Sequence, residues 1–458
     1  MSDSFSRLNI DDRLLTNLED LGFKRMTPIQ KEALPIVVEG RDVIAQAKTG
    51  SGKTVAFGLG ILNIIDVKQT RAQSLILCPT RELAEQVAKE LRMLARKIPN
   101  IKILTITGGK SEYQQERSLS HGAHIVVGTP GRMIKLLKRK ILNLEHVKSY
   151  VLDEADRMLD MGFIDDISRI STYVPKERQT LLFSATFPED IEKLCERLQR
   201  DALRVSVDVN HEGSIIKEVF VELSSHKDKM QTLLNVLAHY QAKRFIVFCK
   251  TKRISDSVAD DLYKKGIIVS SIHGDLEQNE RTSVLTMFSN KSLLGIVATD
   301  VAARGIDIKD LDLVVNFDLP NDPEVYVHRI GRTGRAGSEG NAVSFLVEQE
   351  KENFQKILDY QKSAHQLETS EFFEDGEYKI EPEMATFYIR GGKKDKLRPG
   401  DIVGAIVGEA GIDFKEIGDI SITNIMSYVA VSANQIDHVV SCLNKGKIKN
   451  RKFKIGKL

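Results

Sequence analysis

Two short stretches carry most of the chemistry in this chain of 458 residues. The first is AQAKTGSGKT at 45–54, placed after the apolar DVIAQA and before VAFGLGILNII. Gly50 and Gly52 let backbone N–H groups close around phosphate oxygens, with the positive end of a following helix beneath them. Lys53 then reaches the outer phosphates, and Thr54 offers a hydroxyl to Mg²⁺. The spacing is A-x4-GKT, without the first glycine of the commoner pattern, so this loop alone is a weak signal. The second stretch, SYVLDEADRMLDMGF at 149–163, strengthens it. There an apolar run, Tyr150-Val151-Leu152, stops at Asp153, Glu154 and Asp156. Asp153 at a strand end suits Mg²⁺ held through water, and Glu154 suits orienting or deprotonating an attacking water. Phosphoryl transfer needs little covalent help, so metal, lysine and positioned water form a nearly complete set. The expectation is that these acids face a nucleotide, with ATP and Mg²⁺ as cofactors.

A third cluster, YVHRIGRTGRAG at 326–337, supplies cationic groups. Arg332 and Arg335 are three apart and share a face if they lie on a helical turn. They read as arginine fingers that meet the γ-phosphate only when two domains close. The alternative for them is a basic RNA-contacting surface.

These groups need sheets to hold them. Strand candidates DVIAQA, SLILCPT, KILTITGG, HIVVGTP, SYVLDEAD and QTLLFSAT alternate with amphipathic segments such as RELAEQVAKELRMLARKI. The habit repeats with EVFVEL, RFIVFCKT, IIVSSIHG, LGIVATD, LDLVVNFDLP and NAVSFLVE. Near-continuous apolar strands separated by helices indicate parallel sheets covered on both faces. Two doubly wound α/β domains are expected, 1–209 and 210–362, with a terminal helix and an acidic linker at 363–383. Residues 384–458 follow a different pattern. There ATFYIRG, IGDISITN, MSYVAVS and KNRKFKIGK read as strands, RPGDIVGAIVGEA and NQIDHVVSCLN as helices. The order β-α-β-β-α-β is that of a ferredoxin-like sandwich, a common RNA-binding architecture.

Composition narrows the partners. Hydrophobic content of 41% with 28% charged residues is ordinary for a globular protein. The four cysteines are isolated, which argues against zinc and disulfides. MSDSFSRLNIDDRLL has no apolar h-region, and no apolar run could span a bilayer, so the expected location is cytoplasmic with no membrane partner. Residues 384–458 hold 13 Lys/Arg against 7 Asp/Glu, while the remainder holds 53 against 57. A basic tail on a near-neutral body points to a polyanion.

Taken in order, the motifs from residue 5 to about 350 resemble those of the DEAD-box RNA helicases, whose folds are two tandem RecA-like domains; DEAD itself stands at 153–156. GFKRMTPIQ (22–30), preceded by Phe5, resembles the family's adenine-reading Q motif, which implies that Phe23 stacks on the base while Gln30 and the backbone near Arg25 hydrogen-bond its edge. The nucleotide set implied is completed by Ala47, Lys48, Thr49, Gly50, Ser51, Gly52, Lys53 and Thr54, with Gly305 and Asp307 from ATDVAARGID. The implied catalytic residues are Lys53, Asp153, Glu154, His328, Arg332 and Arg335, and the metal ligands Thr54 and Asp153. PTRELA, the Gly108-Gly109 pair, TPGR, QNER and ATD imply RNA contacts by Pro79, Thr80, Arg81, Gly109, Thr129, Pro130, Arg132, Arg281, Thr299 and Asp300. SAT at 184–186 resembles the element linking the ATP site to unwinding. The family mechanism implied is local strand separation: ATP and RNA close the cleft, and hydrolysis reopens it.

The tail resembles the C-terminal RNA-binding domain of the DbpA subfamily, bacterial helicases directed to a hairpin of large-subunit (23S) ribosomal RNA. Its expected electrostatic handle is Lys393, Lys394, Lys396 and Arg398 with Lys447, Lys449, Arg451, Lys452 and Lys454. Phe387, Tyr388 and Tyr428 are stacking candidates, though at least one suits core packing better, and the usual RNA-recognition aromatic signature is absent from MSYVAVS. The function expected is ATP-dependent RNA remodelling during large-subunit assembly. The alternatives are an ATP-gated RNA clamp, a general RNA chaperone without ribosomal specificity, or a DNA translocase. A monomer is expected and a dimer is left open.

Overall fold

The computed structural model describes residues 3–47, 51–207, 216–303, 311–334, 339–361 and 367–458. The chain divides into two compact units, the first built from the opening 210 residues and the second from the chain beyond them.

In the first unit β1 (Val43–Gln46), β2 (Ser74–Leu77), β3 (Ile103–Ile106), β4 (Ile125–Gly128), β5 (Ser149–Asp153), β6 (Gln179–Ser184) and β7 (Leu203–Ser206) make a parallel sheet. Their order is β3-β4-β2-β5-β6-β1-β7. The period of two is visible in packing: Ile76, Val127, Val151 and Phe183 enter one core, while Leu75, Leu77, Val126, Leu152 and Leu182 enter the other. Helices therefore cover both faces, and the polar motifs are left at the carboxyl ends of the strands. That is where open α/β sheets bind ligands.

The second unit repeats the plan with β8 (Ile216–Glu222), β9 (Phe245–Phe248), β10 (Val269–Ile272), β11 (Gly295–Ala298), β12 (Leu313–Asn316), β13 (Gly340–Leu346) and β14 (Leu367–Thr369), in the order β10-β11-β9-β12-β13-β8-β14. Both RecA-like sheets thus contain the six strands expected and one more at an edge. β7 is too short to stand out from RDALRVSVDV. β14 lies in the segment read as an acidic linker, where Leu367–Thr369 pairs in parallel with β8. Phe373, which follows it, is buried in the second-domain core, and Tyr378 and Ile380 pack half-buried against it. Three apolar anchors among many acids hold this segment down, which a charge count alone does not show.

The tail also belongs to the second unit. Its strands β15 (Met384–Ile389), β16 (Ile417–Ile422), β17 (Ser427–Ser432) and β18 (Ile455–Lys457) form an antiparallel sheet in the order β16-β17-β15-β18. A helix starts at Pro399, as its fixed φ favours, and a second spans Ile436–Lys445. Phe387, Ile389, Val429 and Val431 meet Ile402, Ile406, Val439 and Leu443 in a separate small core. The ferredoxin-like α+β fold is as expected.

Candidate active site

β1 delivers the chain to the phosphate loop. Ala47 is buried, and its N–H donates to the Ser184 carbonyl at 2.9 Å. Lys48, Thr49 and Gly50 lie outside the described residues. Gly52 has φ +92°, a conformation that favours glycine, and a Cβ there would stand 2.4 Å from Gln30 Nε2 and displace that side chain. The helix Lys53–Ile64 starts at the next residue, turning its first N–H groups toward the loop.

The TPIQ segment grips this loop. The Thr27 hydroxyl donates to Ser51 O at 2.7 Å, and Gln30 Nε2 donates to Gly52 O at 3.1 Å. Gln30 Oε1 in turn accepts from the Thr27 N–H at 2.9 Å. Gln30, expected at an adenine edge, is thus engaged with the phosphate loop. Thr27 was not singled out from sequence, although the T-x-x-Q capping-box pattern that orients it is legible there. Phe23 is half-buried with Phe5 edge-on to it at 6.4 Å, and Arg25 is exposed.

Across from the loop, β5 ends at Asp153. Lys53 Nζ and Asp153 Oδ1 face each other at 3.7 Å with side chains only 6% and 4% exposed. Neither atom has a hydrogen-bond partner among the described residues. Burial pushes the Asp153 carboxyl up to about 6, with Lys53 opposing the effect and Glu154's charge adding to it. Two orphaned groups of opposite charge, with Thr54 half-buried one residue away, fit a triphosphate and its Mg²⁺. Among the described residues no three His, Cys, Asp or Glu side chains converge into a metal cage.

Glu154 adopts φ 56°, ψ 57°, a left-handed conformation rare outside glycine, and its carboxylate lies 2.9 Å from Arg157 Nη1. Such strain persists only where surroundings over-determine it. Asp156 requires a correction: it does not face the nucleotide loop with the other two acids. Its Oδ2 accepts from the N–H groups of Ala185 and Thr186, each at 3.0 Å, and from the Thr186 hydroxyl at 3.2 Å. A helix turn begins at Ala155, which rotates Asp156 toward the end of β6. The DEAD and SAT segments are therefore joined by one carboxylate.

The expected RNA residues of this unit gather at the ends of β2, β3 and β4, which are neighbours in the sheet. Thr80 caps the helix Arg81–Leu94, and Thr129 precedes the helix Pro130–Lys138; both are buried, as are Pro79 and Pro130. Arg81 lies across Gly108, where a Cβ would meet the guanidinium at 3.0 Å, and Gly109 is left-handed at φ +72°. Arg132 Nη1 donates to Gln115 Oε1 at 3.0 Å, and Gln115 donates to Thr107 O at 2.8 Å.

Three family models match the chain in order: DEAD/DEAH box helicase over residues 27–194, helicase conserved C-terminal domain over 228–337, and DbpA RNA binding domain over 386–457. The ATP-dependent RNA helicase DbpA of Escherichia coli is 47% identical over 453 residues, spanning 99% of both chains. The chain belongs to the DEAD-box RNA helicases. CshA of Listeria monocytogenes, also an ATP-dependent RNA helicase, is 45% identical over 342 residues, 75% of this chain and 66% of that one. Among solved structures, S. cerevisiae Dbp5 bound to RNA and ADP BeF3 matches with a TM-score of 0.73 and 32% identity, covering 80% of this chain and 95% of that one. RNA-dependent ATP hydrolysis is accordingly the activity of this helicase, and RNA its partner.

In the helicase's second unit Asp300 is held by Arg329, whose Nε and Nη2 reach its two carboxylate oxygens at 2.6 and 2.8 Å. Arg329 also donates to Asn316 Oδ1 and Asp318 O and lies over the Phe248 ring. It was missed from sequence because a buried structural arginine looks like its neighbours Arg332 and Arg335. Thr299 is half-buried beside Asp300, and Arg281 Nη2 donates to Ala302 O at 3.4 Å. His328 lies in the last turn of the helix Pro323–Ile330, with Gly331 following the helix. The shared helical face expected of Arg332 and Arg335 is therefore corrected for Arg332: it lies beyond the helix, buried, just before Thr333 bridges to Leu311. Arg335, Gly305 and Asp307 lie outside the described residues.

On the tail, Lys393, Lys394, Lys396, Arg398, Lys447, Lys449, Arg451, Lys452 and Lys454 are all exposed. They sit on two loops that touch, since Lys449 Nζ donates to Lys396 O at 3.0 Å and Arg451 pairs with Asp395 at 3.3 Å. Lys396, Lys449 and Asn450 all have positive φ. Phe387 lies in the small core, which removes it as a stacking candidate because its strand position points to the helix side.

Proposed function

We propose that this helicase separates short RNA duplexes locally, and that its tail delivers it to 23S ribosomal RNA during assembly of the large subunit. The carrying observation is the basic surface made by two touching tail loops. Nine exposed cations, two of them on backbone held in the left-handed region, form a preorganised polyanion site. The tail's match to the DbpA RNA binding domain supports the ribosomal assignment. The helicase domains are assigned to 1–209 and 210–362, the connection to 363–383 and the RNA-binding tail to 384–458.

Within the core, Lys53 and the loop N–H groups bind the outer phosphates, while Phe23, Arg25 and Gln30 recognise adenine. For Gln30 to reach the base it would exchange its Gly52 bond, which ties base recognition to loop position. Mg²⁺ would be held by the Thr54 hydroxyl and, through water, by Asp153, and would neutralise charge on the phosphates. Glu154 orients the attacking water, and its fixed left-handed backbone sets that direction. His328, Arg332 and Arg335 add charge on domain closure, a term worth about 10³–10⁵ in rate. Asp156 couples hydrolysis to the SAT segment and thence to RNA. Contacts of Arg81, Thr129, Arg132, Arg281, Thr299 and Asp300 with phosphate and sugar would hold a strand without reading its sequence.

The test is steady-state ATP hydrolysis at fixed salt with generic single-stranded RNA, matched DNA, and a ribosomal RNA fragment carrying the hairpin. The fragment should activate at the lowest concentration, and deleting residues 384–458 should remove that advantage. Equal activation by both RNAs would reduce the protein to a general RNA chaperone. Hydrolysis without displacement of a short duplex would favour the clamp.

A further inference from the structure

The arginine of TPGR is held by a residue that belongs to none of the motifs above. Gln115 lies on the helix Glu112–Leu119 and is only 6% exposed. Its Nε2 donates to the Thr107 carbonyl at 2.8 Å, and a carbonyl can only accept. The amide is thereby locked in one orientation, and Oε1 has to face the other way. There it accepts from Arg132 Nη1 at 3.0 Å, while the same Nη1 lies 3.4 Å from the Lys110 carbonyl. Both contacts use one corner of the guanidinium. Nε and Nη2 form the edge that suits bidentate contact with a phosphate, and among the described residues they make no hydrogen bond within the protein.

The surroundings support this hold from both sides. Thr107 follows β3 and precedes the Gly108-Gly109 pair, against which Arg81 lies. On the helix Pro130–Lys138, Arg132 shares a face with Lys135 and the C-cap Arg139. Those two reach across to the helix of Gln115. Lys135 pairs with Glu112 at 2.6 Å, and Arg139 pairs with Glu116 at 2.6 Å and with Glu112 as well. Ion pairs with exposed cations contribute little and weaken with salt. The rung at Gln115 is different, because its amide is buried and would pay desolvation if left without partners. We propose that Gln115 is a positioning residue for RNA binding, which fixes the Arg132 guanidinium by one corner so that its opposite edge is presented to a backbone phosphate. This rests on the reading that Arg132 engages RNA. Gln115 does not itself touch the strand, since both polar atoms of its buried amide are taken. A long side chain ordered in advance loses less rotamer freedom when the strand arrives.

The experiment is ATP hydrolysis by the full chain stimulated with generic single-stranded RNA, read as kcat and as the RNA concentration at half-maximum. Gln115→Met keeps the side-chain length and removes the amide. It should raise the half-maximum by about fivefold with kcat within about twofold of the parent, because the ordering cost falls on binding. Arg132→Gln should raise the half-maximum by about tenfold or more, the effect of a lost charged hydrogen bond. The double variant should match Arg132→Gln alone, since a residue that acts only through Arg132 then has nothing left to act on. Glu116→Gln, which removes an exposed rung, should stay within about twofold of the parent. If Gln115→Met folds poorly, Gln115→Asn, too short to span from Thr107 to Arg132, enters the same cycle. Effects that multiply in the double variant overturn the proposal, as does a fall in kcat at an unchanged half-maximum. An Arg132→Gln half-maximum equal to the parent's removes the reading of Arg132 itself, and the proposal with it.

Discussion

Asp153 shows how much one buried carboxylate can decide. Its ordinary value of 3.8 is raised to about 6 by burial, so the folded protein keeps this proton over a range where the unfolded chain has lost it. Stability held below the lower value is lost as pH rises through the upper one. Asp153→Asn has no such titration, so the nucleotide-free variant should gain on the parent, by on the order of 1 kcal/mol between about pH 5 and 7.5. Thermal melts at those two pH values check it; a gap that narrows with rising pH would contradict the assigned shift. The same substitution should abolish hydrolysis. Asp156, three residues on, carries no such role at the loop, because its Oδ2 is satisfied by the SAT backbone and its Oδ1 by the Arg157 N–H.

At the scale of elements, the second helicase domain is braced by a buried charge network. Lys229, fully buried on the helix Asp228–Tyr240, reaches Asp318 at 2.8 Å and Glu350 at 3.1 Å. Glu350 also accepts from the Leu319 N–H, and Asp318 from the Lys250 N–H. Two strand ends and a helix are thereby pinned beside Arg329. Lys229→Met removes the ammonium that both buried acids share and should cost about 3–5 kcal/mol. Urea denaturation followed by circular dichroism reads this directly. Adding Asp318→Asn and Glu350→Gln should recover much of the loss; no recovery would mean that packing, and not charge, is the cause.

For the whole molecule, affinity is expected to divide between a sequence-blind core and a basic tail. Replacing Lys393, Lys394 and Lys452 by Gln should weaken binding of the hairpin fragment and flatten the slope of log affinity on log salt by about two, the signature of three lost phosphate neutralisations. An unchanged slope would place the RNA elsewhere on the tail. No described helix is long and apolar enough to cross a membrane.

The core motifs were legible in sequence because their chemistry is local: glycine spacing makes a phosphate loop, and a strand end makes a platform for acids. Most strands were legible for the same reason, as short apolar runs. What only the folded chain decided was partnership at a distance. Nothing near Asp156 reveals that Ala185 and Thr186 claim it, nothing near Gln30 reveals Gly52, and nothing near Arg132 reveals Gln115. Buried polar groups must be satisfied, but which distant group satisfies them depends on how sheets and helices stack. The tail's aromatic residues illustrate the limit: strand alternation separates Phe387 from Tyr428, yet only tertiary packing shows that Tyr428 is buried too.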